Sequence, residues 1–238
     1  MIVNHKVSFA AVFLFLLACL SGFSQNAKID SLKSIVETGV KDTLMVTRLN
    51  TLCIELLKAG RFPEAQTYGQ QSVDLANLLD YKKGKAYAQK YLGNVEYYQG
   101  NYLQVLDYWT QSLETFESIQ DTLGLAGIVG NIGALYYQQG SHPKALDYYL
   151  QSLNFSEKAK DSFNISRALV NIGGLYTEML DYEKALQYFF KVKKYRNSET
   201  NPGLNTQFLI GVGEIYLKQG RLDDALKYYK DAIESAPF

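Results

Sequence analysis

The sequence predicts an all-α protein in which antiparallel helix pairs stack into a superhelix, and three observations support this fold class. Similar segments recur at a spacing of 40 residues, as NIGALYYQQGSHPKALDYYLQSL (131–153) and NIGGLYTEMLDYEKALQYFFKV (171–192) show. Apolar residues in these segments recur at the 3.6-residue period of an amphipathic helix. Glycines separate the helical stretches, where they can end helices and close turns. Apolar residues make up 47% of the 238 residues and charged residues 20%, as in ordinary folded domains.

The first 24 residues differ from the rest of the chain and resemble a secretory signal peptide. One cation, Lys6, precedes an apolar stretch without charge, residues 7–20. That stretch is too short for a transmembrane helix and has the length of a signal-peptide core. Small residues at the third and first positions before the cut predict cleavage after Ser24, hence a periplasmic or extracellular protein. An alternative is lipidation at Cys19, because LLAC resembles a lipoprotein signal.

Charge and cysteine content argue against nucleic-acid binding and against a disulfide-stabilised fold. Lys plus Arg and Asp plus Glu both number 24, so the chain is neutral. Nucleic-acid binding normally requires a basic excess, so no nucleic-acid partner is expected. After cleavage Cys53 is the one remaining cysteine, so no intramolecular disulfide can form. The fold must therefore be stabilised by packing.

A single amphipathic helix is predicted between the signal peptide and the repeats. Residues 27–40 (AKIDSLKSIVETGV) show the helical period, and with the following linker they make up residues 25–43. We expect this helix to cover the open face of the first repeat, because terminal repeats need a cap.

Five repeats follow over residues 44–238, and two glycine columns define them. Glycine is 18 of 238 residues, so chance would place fewer than one in ten chosen positions, whereas these columns hold eight. The first column, which we call the marker, contains Cys53, Gly93, Gly133, Gly173 and Gly213. The second column, seven residues later, contains Gly60, Gly100, Gly140, Leu180 and Gly220. A third column, twelve residues after the marker, contains Ala65, Val105, Ala145, Ala185 and Ala225.

Each repeat is predicted to form two helices joined by a tight turn. In the third repeat Gly140 ends the first helix, and Pro143 falls in the first turn of the second, where a helix tolerates proline. Asp121 and Asp161 precede helices and can accept hydrogen bonds from their free amides. The marker glycine facing Ala145 allows the two helix axes to approach closely.

Aromatic residues at fixed positions are predicted to form the core. One column lies three residues after the marker and contains Tyr136, Tyr176 and Tyr216. The other lies sixteen residues after the marker and contains Trp109, Tyr149, Phe189 and Tyr229. Aromatic side chains at helical spacing pack between helices, which accounts for many of the 19 tyrosines.

The order of these columns resembles the tetratricopeptide repeat, over about residues 44–238. The resemblance implies a right-handed superhelical solenoid. The period is 40 rather than 34 residues, which is similar to the extracytoplasmic repeat arrays of bacterial sensor proteins. The fourth repeat departs from the pattern at Leu180, and RNSETNPG (196–203) predicts a polar loop after it.

The sequence contains no candidate active site, so an enzyme is not expected. His142 lies in a predicted turn, and Cys53 occupies a column of small buried residues, where its thiol should be inert. No metal-ligand spacing, phosphate loop or dinucleotide motif is found, so no cofactor is expected.

The resemblance implies a peptide-binding groove lined by the first helix of each repeat. The positions that it places in the groove are Tyr87, Lys90, Tyr91, Asn94, Tyr97, Asn131, Tyr137, Arg167 and Asn171. Lys90, Asn94, Asn131 and Arg167 match four of five positions of a clamp that holds a peptide's terminal carboxylate. Asn171 replaces the cation expected at the fifth. The alternative is that the asparagines hydrogen-bond neighbouring helices.

Two functions are therefore expected, both without catalysis. The first is an exported scaffold that binds protein or peptide segments in its groove. The alternative is the sensory region of a larger signalling protein whose output domain lies outside this chain. Pro237 ends the last helix, and Tyr229, Ala232 and Ile233 are expected to lie partly uncovered. This predicts a homodimer contact through the last helix in the first case.

Overall fold

The fold was determined as a computed structural model, which describes residues 26–195 and 202–236. The predicted signal peptide, Cys19, residues 196–201 of the predicted loop and Pro237 lie outside the described residues. The described residues are helical, without a β-strand.

Eleven helices occur in the described part of the chain. They are α1 (26–38), α2 (Thr43–Lys58), α3 (Phe62–Leu78), α4 (Lys82–Gln99), α5 (Tyr102–Ser118), α6 (Thr122–Gln138), α7 (His142–Ala159), α8 (Ser162–Glu178), α9 (Tyr182–Val192), α10 (Pro202–Lys218) and α11 (Leu222–Ser235). From α2 onwards, each even-numbered helix (helix A) and the following odd-numbered helix (helix B) form one repeat. The predicted all-α fold of antiparallel helix pairs is confirmed.

The chain divides into two compact units, with the boundary after Thr115 in α5. The N-terminal unit contains α1 to α4 and most of α5, and the C-terminal unit contains the end of α5 and α6 to α11. In the C-terminal unit, α8 packs against α6, α7, α9 and α10.

The marker glycines leave room for the aromatic column of helix B, as predicted. A Cβ atom added to Gly133 would lie 2.7 Å from Cδ1 of Tyr149, and one added to Gly173 would lie 2.9 Å from Cδ1 of Phe189. In the first repeat the two sizes are exchanged, because Cys53 occupies the marker position and Gly69 the aromatic position. A Cβ on Gly69 would be 3.3 Å from the Cys53 sulfur. Each repeat thus pairs one small residue with one larger residue at this crossing.

The turns between helices A and B use the left-handed backbone region. Gly140 has φ +72°, and its counterparts in repeats one, two and five have φ between +71° and +80°. Leu180 adopts φ +61° at the same position, which is strained for a residue with a Cβ. The fourth repeat therefore keeps the turn geometry although it lacks the glycine.

The helix starts agree with the sequence prediction. Asp121 Oδ1 accepts a hydrogen bond from Gly124 N at 2.9 Å, and Asp161 accepts bonds from the amides of Phe163 and Asn164. Pro143 lies in the first turn of α7. These side chains satisfy amides that the helix itself leaves unpaired.

A serine column on helix B connects the two helices of three repeats, and the sequence analysis missed it. Ser72 Oγ donates to Val46 O at 3.2 Å. The equivalent bonds, at the same 40-residue spacing, are Ser112 to Ala86 O (2.8 Å) and Ser152 to Ala126 O (2.7 Å). In the fourth repeat Val192 replaces the serine and Ser166 occupies the acceptor position. The Ser166 hydroxyl is buried and has no hydrogen-bond partner among the described residues.

Helix α1 packs against the first repeat. Ile29 is fully buried in a cluster with Leu52, Leu56 and Ala65. Lys33 Nζ lies 2.5 Å from a Glu64 carboxylate oxygen on α3, and Lys28 Nζ lies 3.1 Å from Glu55 on α2. Apolar burial and two ion pairs therefore hold α1 on this surface.

Three expectations need correction. α10 begins at Pro202, so the last two residues of the predicted loop 196–203 belong to a helix that begins with proline. Ala232 is buried rather than uncovered, because it packs in the cluster that contains Phe189 and Phe208. His142 is the first residue of α7 and is half-buried, so it lies at the start of a helix rather than in the predicted turn.

Candidate functional site

The helix-A residues of the N-terminal unit form an aromatic surface on α4. The Tyr87 and Tyr91 ring centroids are 6.1 Å apart, and Lys90 Nζ lies 4.6 Å and 4.9 Å from them. Asn94 is half-buried one turn further along the helix. Lys90 is thus held against two rings by cation–π contacts.

Tyr91 contributes to the core as well as to this surface. It packs against the cluster that contains Leu52 and Cys53. Burial raises the pKa of Tyr91 to about 12, with a further contribution from Cys53, and burial raises the pKa of the Cys53 thiol to about 12 as well. Cys53 is buried, as predicted, and its raised pKa favours the protonated thiol at neutral pH; its inertness stays a prediction.

Tyr97 lies at the end of α4 in a cluster of rings. It stacks on Trp109 with centroids 5.8 Å apart and an interplanar angle of 24°, and it meets Tyr98 and Tyr102 edge-on. Burial, followed by the neighbouring Tyr102 and Tyr98 hydroxyls, raises the pKa of Tyr97. Tyr98, at 68% exposed, is the most accessible ring of this cluster.

Arg167 is the most unusual side chain of the C-terminal unit. It is half-buried on α8, and its guanidinium donates one long hydrogen bond, 3.4 Å, to Gly127 O on α6. Burial lowers the pKa of Arg167, and the charge of Asp161 and the Tyr149 hydroxyl partly oppose this. Among the described residues no carboxylate forms an ion pair with it. A desolvated cation with one weak acceptor is suited to binding an anion.

The other predicted residues of this unit lie on the same helices. Asn131 on α6 and Asn171 on α8 are half-buried and occupy equivalent positions in successive repeats. Tyr137, near the end of α6, stacks on His142 with centroids 6.1 Å apart. Burial raises the pKa of Tyr137, and the charges of Glu178 on α8 and Glu214 on α10 raise it further. α8, which carries Glu178, packs against both α6 and α10.

The four clamp positions are divided between the two units. Lys90 and Asn94 belong to the N-terminal unit, whereas Asn131 and Arg167 belong to the C-terminal unit. Lys90 is engaged by the rings of its own helix, whereas Arg167 has no anionic partner among the described residues. The clamp remains a prediction.

Sequence reasoning missed one feature of the C-terminal face. A Cβ atom on Gly174, a half-buried residue of α8, would meet no atom within 4 Å. The second glycine after Ile172 was a visible signal, because a helix interior normally disfavours glycine unless space or contact requires it.

The described residues show no arrangement for metal binding or for crossing a membrane. In the ranges 26–195 and 202–236, no three His, Cys, Asp or Glu residues are grouped so that they could hold a metal ion. None of the helices in these ranges combines the length and apolar character that a membrane span requires.

Comparison with known proteins identifies the repeats. Residues 124–192 and residues 207–238 each match a family model described as tetratricopeptide repeat. The matched segments cover most of repeats three, four and five as the structure defines them. These two segments of the chain are tetratricopeptide repeats. Among curated proteins, none matches it.

Solved structures show the same fold at low sequence identity. BtubC (BKLC) from P. vanneervenii is 15% identical, with a TM-score of 0.68 over 89% of this chain and 88% of its own. A Rap protein in complex with competence and sporulation factor is 20% identical, with a TM-score of 0.65 over 87% of this chain and 58% of its own. NprR in complex with its cognate peptide NprX is 14% identical, with a TM-score of 0.67 over 93% of this chain and 64% of its own. The chain thus spans less than two thirds of the last two proteins.

Proposed function

We propose that this protein is a non-enzymatic scaffold that binds a protein or peptide segment on the surface formed by its A helices. The observation that carries the proposal is Arg167, a half-buried cation on that surface without an anionic partner among the described residues. Burying a cation without a counter-charge costs free energy, and an acidic group of a ligand would offset that cost. NprR, which has the same fold, is bound to a cognate peptide, and this similarity supports a peptide as partner.

A display selection against random peptides tests the proposal. Peptides are selected on the purified protein and on the Gly174→Trp variant. Because Gly174 faces open space, this variant should fold and block the surface. Glu157→Trp, at an exposed position of α7, is the matched control. We expect the wild type and Glu157→Trp to enrich the same peptides and Gly174→Trp to lose them. If the wild type enriches none, the proposed function is wrong.

Export through the signal peptide is the second part of the proposal. The charge-free run at residues 7–20 supports it, with cleavage after Ser24 and a periplasmic or extracellular location. N-terminal sequencing of the protein after expression with its leader distinguishes this from lipidation at Cys19. A new terminus at Gln25 supports cleavage, whereas a lipid-blocked Cys19 supports the alternative.

A homodimer through α11 is a further proposal, and the exposed apolar residues of that helix favour it. Leu226 and Ile233 are 53% and 68% exposed. At the equivalent positions of α7, Leu146 and Leu153 pack against buried residues of α8. Among the described residues no helix A covers α11 in this way, and a second copy would bury the same face.

Sedimentation equilibrium tests the homodimer. We expect a dimer for the wild type and a monomer for the double variant Leu226→Glu, Ile233→Glu. A wild-type monomer at tens of micromolar would rule out this dimer. It would leave the reading in which the chain is the sensory region of a longer signalling protein, and a further segment covers α11.

A further inference from the structure

On one face of the C-terminal unit, a positive and a negative side chain lie towards opposite ends of α8. On α8 the residues Arg167, Asn171, Gly174 and Glu178 follow each other at intervals of four, three and four, so they lie on one side of the helix. The cation stands at one end of this stripe and the carboxylate at the other. At 1.5 Å per residue, about 16 Å of helix separates them.

The helices next to α8 contribute further residues at the acidic end of this stripe. α8 packs between α6 and α10. At the acidic end, burial raises the pKa of Tyr137 on α6, and the charges of Glu178 on α8 and Glu214 on α10 raise it further. Lys218 Nζ lies 3.4 Å from Glu214 and partly neutralises it, whereas Glu178 forms no ion pair within the described ranges. Glu178 is thus the carboxylate available to a ligand.

In the middle of this face, α6 and α8 carry small residues. Ala134 and Gly174 occupy equivalent positions of α6 and α8, one residue after the marker, and Glu214, with Lys218 beside it, occupies that position of α10. A Cβ on Gly174 would meet no atom within 4 Å, so a ligand can approach the α8 backbone there. On α4 the corresponding stripe holds Tyr87, Tyr91, Asn94 and Tyr98, which fill this space.

We propose that this face binds an extended peptide segment that presents an acidic side chain to Arg167 and a basic side chain to Glu178. The proposal rests on the proposed peptide-binding function and specifies its ligand. The segment lies across α6, α8 and α10, with its main chain over Gly174. In the sequence of the segment, the acidic and the basic residue are an odd number of positions apart, for example one or three.

The odd spacing follows from the geometry of an extended chain. Successive side chains of a strand point to opposite sides, so residues one or three apart face opposite ends of the stripe. A helical segment would instead place residues three or four apart on the same side. Both contacts are charge-assisted, and Arg167 is desolvated before the ligand binds, so each contact contributes to specificity.

The proposal is tested with a nonapeptide display library joined to its carrier through the C terminus. No free carboxylate is then present, which separates this site from a terminal-carboxylate clamp. We expect the peptides selected on the wild type to be enriched in one acidic and one basic residue at odd spacing. A synthetic isomer of a selected peptide with even spacing should bind at least tenfold more weakly.

Two variants locate the charges. We expect Arg167→Gln and Glu178→Gln each to lower the affinity for the selected peptide at least fivefold. Arg167→Gln should also remove the penalty for replacing the acidic residue of the peptide by glutamine. Lys227→Gln and Glu157→Gln, at exposed positions of α11 and α7, are the matched controls, and thermal unfolding verifies the fold.

Four results would overturn the proposal. Selected peptides without paired opposite charges, or equal affinities for the odd and even isomers, would contradict it while leaving peptide binding intact. Unchanged affinity of both charge variants would place the peptide elsewhere. If no peptide is selected, this proposal and the proposed function both fail.

Discussion

Leu180 shows at the scale of one residue how the repeat constrains the backbone. The turn between helices A and B requires a left-handed residue, and four of five repeats place glycine there. Leu180 adopts φ +61° and is 68% exposed, so its side chain contributes little packing to offset the strain.

We therefore expect Leu180→Gly to raise the free energy of unfolding by about 0.5–1 kcal/mol. Leu150→Gly, at a partly exposed position inside α7, should lower it by about 1 kcal/mol, since glycine disfavours a helix interior. Urea denaturation of both variants measures the two changes. A lower free energy of unfolding in Leu180→Gly would contradict the claim that the backbone at Leu180 is strained.

Two serines at related positions are expected to respond in opposite directions. Ser152 donates to Ala126 O at 2.7 Å, so Ser152→Ala should lower stability by about 1 kcal/mol. The Ser166 hydroxyl is buried without a partner among the described residues, so Ser166→Ala should be neutral or stabilising. Thermal denaturation of both variants measures the changes. No loss in Ser152→Ala would contradict a stabilising role of the serine column, and an equal loss in Ser166→Ala would contradict the missing partner of Ser166.

The contact between α1 and the first repeat is sensitive to acid at the scale of helices. Hydrogen bonds from Arg61, and then from Lys33, lower the pKa of Glu64 to about 2. A lowered pKa in the folded state contributes stability above the unfolded pKa, near 4.3, and that contribution is lost as the pH falls towards 2. Because Glu64 is 38% exposed, solvent screening keeps the contribution small.

We expect Glu64→Gln to melt at a lower temperature than the wild type at pH 7, with a difference that is constant down to about pH 5 and disappears near pH 2. Thermal melts from pH 7 to pH 2 measure it, with the exposed Glu157→Gln on α7 as the control for lost negative charge. A difference that does not depend on pH would show that the ion pairs are not responsible.

The crossing of α6 and α7 tests the packing register. A Cβ on Gly133 would lie 2.7 Å from Tyr149, and Ala145 is fully buried. We expect Gly133→Leu with Ala145→Leu to destabilise the third repeat by about 1–3 kcal/mol per site. Gly174→Ala is the control, since it fills open space and should not destabilise. Unchanged thermal unfolding of the double variant would contradict the register.

The sequence predicted the helix pairs because the same 40-residue spacing recurs along the chain and helix A packs against helix B in the same way in every copy. Gly93, Gly133, Gly173 and Gly213 signal close helix contacts wherever they occur. The exchange of Cys53 and Gly69 could not be read from one column, because the compensation appears only when both partners are compared. The desolvation of Arg167 also depends on how α6 and α8 pack, which its position in the sequence does not reveal.

At the scale of the molecule, the two units offer different surfaces on their A helices. The N-terminal unit presents tyrosines around Lys90, whereas the C-terminal unit presents a low stripe between Arg167 and Glu178. The sequence predicted most of these residues as a groove through the resemblance to a repeat family. It did not distinguish the two surfaces, because their difference depends on which side chains are already engaged within the protein.

Hydrogen exchange of the protein with and without a display-selected peptide tests the central claim, binding on the A helices, most directly. The account predicts that amides of α6, α8 and α10 become more protected, while those of α7, α9 and α11 change little. Protection centred on the B helices, or no change at a saturating peptide concentration, would contradict it.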